Sequence, residues 1–174
     1  MINVVKFTPA SGGVWNPASQ SKEGAMRITT RGRYALRASL ALAKMEKDNG
    51  GPVSINHLAE IENISPVFLE QIFFKLRKAG IVSSSRGPGG GFCFSRNLDT
   101  LTVKEILDSA GEEIELTLCD KREDNCDRIG ECISHYVISD AHDLLKKYFS
   151  EITIASILEK YGPKSRYQVQ EQNP

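Results

Sequence analysis

Three cysteines and a histidine gather in the C-terminal half of the chain, at Cys119, Cys126, Cys132 and His135. Cys132 and His135 stand at i and i+3, so at the start of a helix both side chains face the same ligand. Thiolates suit iron–sulfur clusters, and an imidazole can replace a thiolate on one iron, which raises the reduction potential. Tetrahedral zinc favours closer cysteine pairs than the six- and five-residue gaps found here. A thiol or disulfide switch is the third chemistry these residues allow. Asp120, Glu123, Asp124, Asp127 and Glu131 surround the thiols. That charge disfavours thiolates, and a cationic metal centre reverses the preference. Cys93, between Phe92 and Phe94, reads as a structural residue of a strand. His57 and His142 have no cysteine partner in sequence and read as helix-surface or capping residues.

The elements that must position this site follow from hydrophobic periodicity. Tyr34, Ala38, Ala41, Leu42 and Met45 form one face of a helix from Thr30 to Lys47, stopped by Asn49-Gly50-Gly51-Pro52. Ser54 caps a short helix through Glu62, with Leu58 and Ile61 inward. Ser65-Pro66 opens the next, striped by Leu69, Ile72, Phe73 and Leu76 and ended at Ala79-Gly80. Residues 81–85 and 92–94 read as strands joined by the glycine-rich turn Arg86–Gly91. Thr102-Val103-Lys104-Glu105 is a capping box. After the cysteine segment, Ile133, Val137, Ala141, Leu144, Leu145 and Tyr148 mark a longer helix. Thr153 caps a last one, with Ile154, Ile157, Leu158 and Tyr161 inward. The expected architecture is mainly α with a small β-hairpin wing: a winged helix-turn-helix and a long C-terminal dimerisation helix.

Charge divides the chain in the same place. Residues 26–98 carry eleven Lys/Arg against five Asp/Glu, whereas residues 99–174 carry nine against sixteen, so a net charge of zero conceals a polyanion-binding half. This divides the chain into a leader at 1–25, a DNA-binding domain at 26–98, a cluster loop with dimerisation helices at 99–162, and a tail at 163–174. A recognition helix presents its first turns to base edges. The expected DNA contacts are Arg27, Arg31, Ser65, Val67, Phe68, Glu70, Gln71 and Arg86. Gln71 can pair with adenine and Glu70 can accept from cytosine N4. Arg27, Arg31, Arg33, Lys75, Arg77 and Lys78 are candidates for phosphates, and Arg86 at the wing tip for a minor groove.

These residues carry a resemblance. Met26 to Ala35, Phe68-Leu69-Glu70-Gln71-Ile72, Leu76 to Val82, Arg86 to Gly91 and the cysteine segment together resemble the IscR/NsrR-type family of bacterial winged-helix iron–sulfur regulators, in particular the IscR type. The resemblance implies a [2Fe–2S] cluster held by Cys119, Cys126, Cys132 and His135. It further implies a homodimer on an imperfect palindrome of double-stranded DNA, with cluster state selecting the operator and Glu70 involved in that choice. The first cysteine gap is one residue longer than in the IscR pattern. Val67 stands in place of a polar base reader, where it can meet a thymine methyl. The nitric-oxide-sensing type of the family uses an acidic ligand from the first helix, and Thr29 to Leu36 contain no carboxylate. A nitric-oxide or redox-sensing repressor with another cluster, and an iron–sulfur electron carrier, are the alternatives.

No run of eighteen apolar residues exists that would span a membrane. The first residues lack the continuous apolar core of a secretory signal, so the expected compartment is the reducing cytoplasm. No nucleophile–base pair or phosphate-binding loop points to an enzyme.

Overall fold

The computed structural model describes residues 28–87, 89–114, 116 and 131–162. The leader, the tail, Arg27, Cys119 and Cys126 lie outside the described residues. Among the described residues, six helices and one hairpin follow in the order α1 (Thr30–Asn49), α2 (Ile55–Glu62), α3 (Pro66–Lys78), β1 (Val82–Ser85), β2 (Gly91–Phe94), α4 (Val103–Ala110), α5 (Ile133–Glu151) and α6 (Ile154–Tyr161).

Local chemistry sets the helix starts. The hydroxyls of Thr29, Ser54 and Thr153 each accept a first-turn N–H. Thr102 and Glu105 complete the expected capping box. Such caps are worth about 1 kcal/mol each. The Thr102 N–H, followed by Arg96, holds the Glu105 carboxyl below the usual carboxylate range. Ser65 occupies the N-cap of α3 without a side-chain hydrogen bond, and Pro66 supplies the preset first turn. Between α2 and α3 the turn rests on Asn63, whose φ of 52° is left-handed, a conformation asparagine tolerates.

One apolar core joins these elements. Ala38 and Leu42 of α1, Leu58 of α2, and Leu69, Ile72, Phe73 and Leu76 of α3 pack with Ile106 of α4 and Ile154 of α6. The segment after residue 98 therefore shares its core with the helix-turn-helix. Charge reinforces the α1–α2 contact. Arg37 Nε donates to Glu62 Oε2 at 2.8 Å and Arg37 Nη2 to the Glu62 carbonyl at 2.7 Å.

The hairpin is antiparallel, pairing Val82 with Phe94 and Ser83 with Cys93. Its inner strand is fastened to the chain before α2 by two bonds between Val53 and Phe92, at 2.9 and 2.8 Å. A Cβ at Gly91 would lie 2.3 Å from the Val53 carbonyl oxygen, so only glycine permits this approach.

Two side chains depart from the periodic reading. His142 is buried, because it lies on the side of α5 that packs towards α4. Tyr161, expected inward, is 52% exposed at the end of α6, one turn beyond the half-buried Leu158. The long helix has two apolar sides. Ile138, Ala141, Leu145 and Phe149 are half-buried, while Ile133, Val137, Leu144 and Tyr148 are 82%, 66%, 68% and 56% exposed.

Candidate nucleic-acid interface and cluster site

With Leu69, Ile72, Phe73 and Leu76 fixed in the core, helical spacing turns Val67, Glu70, Gln71 and Phe74 outward. All four are exposed, as is Ser65. Phe68 is half-buried and meets Tyr34 edge-on, their ring centroids 5.9 Å apart. With Ile28, Thr29, Thr30, Arg31 and Arg33 it lines an open groove of about 880 Å³ beside the start of α1. Arg31 and Arg33 are exposed there, and Arg86 is exposed after β1.

Phe74 was absent from the residues expected at this face. The adjacent pair Phe73-Phe74 was the available signal, since Leu69, Ile72, Phe73 and Leu76 already make up the inward stripe and helical spacing turns the residue after Phe73 away from it. Phe73 points inward, meeting Phe92 at 4.9 Å between centroids. Arg77 spans the recognition helix and the wing: its guanidinium carbon stands 5.7 Å from the centre of the Phe74 ring, and Nη1 donates to Ser84 Oγ at 3.2 Å. Lys75, a candidate for phosphate, instead donates to the Ala110 carbonyl at 3.1 Å, where it meets the negative end of α4.

Two residues later the chain reaches across to α1. The Thr29 N–H donates to Glu112 Oε1 at 2.7 Å, and the Thr29 hydroxyl to Oε2. The carboxylate is buried against Gly32, where an added Cβ would sit 2.8 Å from it. Residues 110–112, directly before the cysteine segment, are thus tied to both α1 and α3. Nothing in the periodic pattern signals a contact between residues 83 positions apart.

At the other end of that segment, Cys132 is the N-cap of α5, and its carbonyl accepts the His135 N–H at 3.0 Å. The two side chains therefore belong to one opening turn, whose positive end favours a thiolate. Cys132 Sγ stands 3.0 Å from Ser134 Oγ. The imidazole of His135 is half-buried, and its Nδ1 is buried with no hydrogen-bond partner. Burying such a nitrogen unsatisfied is costly. A metal ligand fits this position, so the donor chemistry present suits the implied iron–sulfur group. Among the described residues no three His, Cys, Asp or Glu side chains converge on a metal position, and of the four expected donors only Cys132 and His135 lie within them. Cys93 is elsewhere, on β2, with Sγ 3.1 Å from Ser83 Oγ across the hairpin.

The helix pair, its outward reading face and the arginine-bearing wing define a winged helix-turn-helix DNA-binding protein. The chain matches the model of Rrf2, iron-dependent transcriptional regulators, over residues 28–160, and it belongs to that family. It is 40% identical over 134 residues to the candidate HTH-type transcriptional regulator ORF2 of Azotobacter vinelandii, covering 76% of this chain and 79% of that one. It is 34% identical over 133 residues to the HTH-type transcriptional regulator IscR of Yersinia pestis, with the same coverages. Among solved structures, T. potens IscR superposes with a TM-score of 0.63 at 26% identity, covering 82% of this chain and 93% of that one. CymR, the global cysteine regulator of B. subtilis, gives 0.63 at 26%, with 78% and 98% covered. The protein is a DNA-binding transcriptional regulator and not an enzyme.

Proposed function

We propose that this regulator senses iron–sulfur cluster status through a [2Fe–2S] group held by Cys119, Cys126, Cys132 and His135, and that cluster state changes its choice of operator. The observation that carries the reading is the buried, unpartnered Nδ1 of His135 on the same opening turn as Cys132. The structural similarity to CymR, named for cysteine regulation, means that the fold alone does not specify the signal; this chain's own donors support iron. When bound, the cluster supplies a centre that oxidants and iron shortage can remove. Cys132 and His135 anchor the group at the start of α5, while residues 110–112 hold the other end of the loop against α1 and α3. Anaerobic purification, with an absorption spectrum and counts of iron and sulfide, tests the reading. Two irons and two sulfides per chain support it, and zinc or an empty protein overturns it.

The proposed DNA contacts are Arg27, Arg31, Ser65, Val67, Phe68, Glu70, Gln71 and Arg86, placed on duplex DNA by two copies of the chain on an imperfect palindrome. Phosphate contacts from these arginines make affinity fall steeply with salt. Arg86→Ala is expected to weaken binding by about 5- to 150-fold, the weight of one lost base-pair contact, with the largest loss at narrow A·T minor grooves. Titrations by fluorescence anisotropy at several salt concentrations check this, and a salt-independent affinity would count against the interface.

The second copy is proposed to cover the outer side of α5. Ile133, Val137, Leu144 and Tyr148 recur at helical spacing along it and are exposed in the single chain. Val137→Glu combined with Leu144→Glu is expected to give a monomer in sedimentation analysis while helical content is kept, since charges there would be buried unpaired. A dimer of unchanged affinity would remove α5 from the interface. Among the described residues no helix is long and apolar enough to cross a membrane. A cytoplasmic location is proposed from the reduced thiols such a cluster needs.

A further inference from the structure

We propose that Phe74 is a specificity-determining residue that reads a thymine methyl in the major groove. The inference rests on the DNA-binding reading of α3 and deepens it. Val67 and Phe74 are seven residues apart, so they lie on nearly the same line along the helix, two turns from each other. They are 65% and 58% exposed, directly opposite the buried stripe. Between them, on the same face, stand Glu70 and Gln71. The four occupy i, i+3, i+4 and i+7, the spacing from which a helix lying along the major groove contacts bases.

The packing of the fold does not account for Phe74. Its neighbour Phe73 fills the core, and Phe74 is 58% exposed, with the Arg77 guanidinium over its ring. That arginine is held from the other side by Ser84 of the wing. Lys78 continues the line one turn further, so the far end of the face is cationic. An apolar ring framed by cations matches a duplex, in which the thymine methyl is the apolar group on a groove floor bordered by phosphates. Val67 and Phe74 are separated by about 10.5 Å along the axis, roughly three base steps at 3.4 Å each. A half-site is therefore expected to present methyls at two positions about three base pairs apart, flanking the base pairs met by Glu70 and Gln71.

The test uses the full-length protein, purified anaerobically, and a library of random duplexes. Sites enriched by the wild type are expected to carry thymine at a position where sites enriched by Phe74→Ser show no preference. Deoxyuridine in place of that thymine removes only the methyl. It is expected to weaken the wild type about fourfold, the value of one buried methyl group, to weaken Phe74→Leu partly, and to leave Phe74→Ser unchanged. Identical base preferences in the two pools, or an equal loss on deoxyuridine in wild type and Phe74→Ser, would overturn the proposal. Failure of the wild type to enrich any duplex would instead sink the reading of α3 as a DNA-contacting helix, and the role of Phe74 with it.

Discussion

Alanine at Cys132 is expected to yield a colourless protein with essentially no iron or acid-labile sulfide, while helical content and dimer stay as in the wild type. The residue stands at the N-cap of α5 without a side-chain capping bond, so its loss costs the helix little. Alanine at Cys119 or Cys126 is expected to do the same. His135→Cys should retain a cluster, because a thiolate replaces the imidazole, but with a potential lower by roughly 125–350 mV, half the span between two-histidine and all-cysteine centres. Cys93→Ala is the control and keeps its full iron, since that thiol faces Ser83 across the hairpin. Metal analysis with protein-film voltammetry decides the outcome. Iron loss in the Cys93 variant, with retention in Cys132→Ala, would reverse the assignment.

A second large effect is expected in stability. The Glu62 side chain is fully buried, and its charge is met by a guanidinium that forks onto both the carboxylate and the backbone carbonyl. Arg37 also leans over Tyr34, its guanidinium carbon 5.4 Å from the ring centre. Arg37→Ala leaves a carboxylate in the core with no counter-ion. Breaking a fully buried pair from one side costs about 3–5 kcal/mol. Arg37 keeps 37% of its side-chain surface in water, which lowers the expectation to about 2–4 kcal/mol. Thermal unfolding of the cluster-free protein should fall by roughly 4–16 °C for a chain of this size. Adding Glu62→Leu should restore most of that loss, because the stranded charge is removed too. A double variant no more stable than the single one would mean that the cost lies in packing rather than charge.

Elements were more legible in the sequence than contacts between them. Ser54, Thr102 and Thr153 announce helix starts through hydroxyls that accept local N–H groups, and all three do so. The stripe Leu69–Ile72–Phe73–Leu76 orients α3, and the outward side of that helix follows by default. Chemistry that crosses between elements was hidden. Lys75 looks like any surface cation until α4 brings the Ala110 carbonyl to it. His142 looks like a surface residue until α5 lies on α4. The apolar residues of α5 show that the helix has partners, but not that they divide between a half-buried side and an exposed one. Glu112 is the clearest case. The absence of carboxylates from Thr29 to Leu36 is correct along the chain and misleading in space, because Glu112 delivers one to Thr29.

That delivered carboxylate also bounds how loudly the loop can speak. The start of α1 is gripped by Glu112 through the N–H and hydroxyl of one threonine. Hydrogen bonds to a charged group contribute about 1.5–3 kcal/mol each. Withdrawing the carboxylate, whatever event in the following residues draws it away, breaks both and changes the balance between two placements of α1 by no more than about 3–6 kcal/mol. In operator occupancy the ceiling through this contact is roughly 10²- to 10⁴-fold. By reciprocity, DNA that favours one placement of α1 returns the same factor to the loop. Under the proposed sensing function the promoter would then be a participant in the measurement, and a chain already on its operator would report the cell's state against a shifted zero.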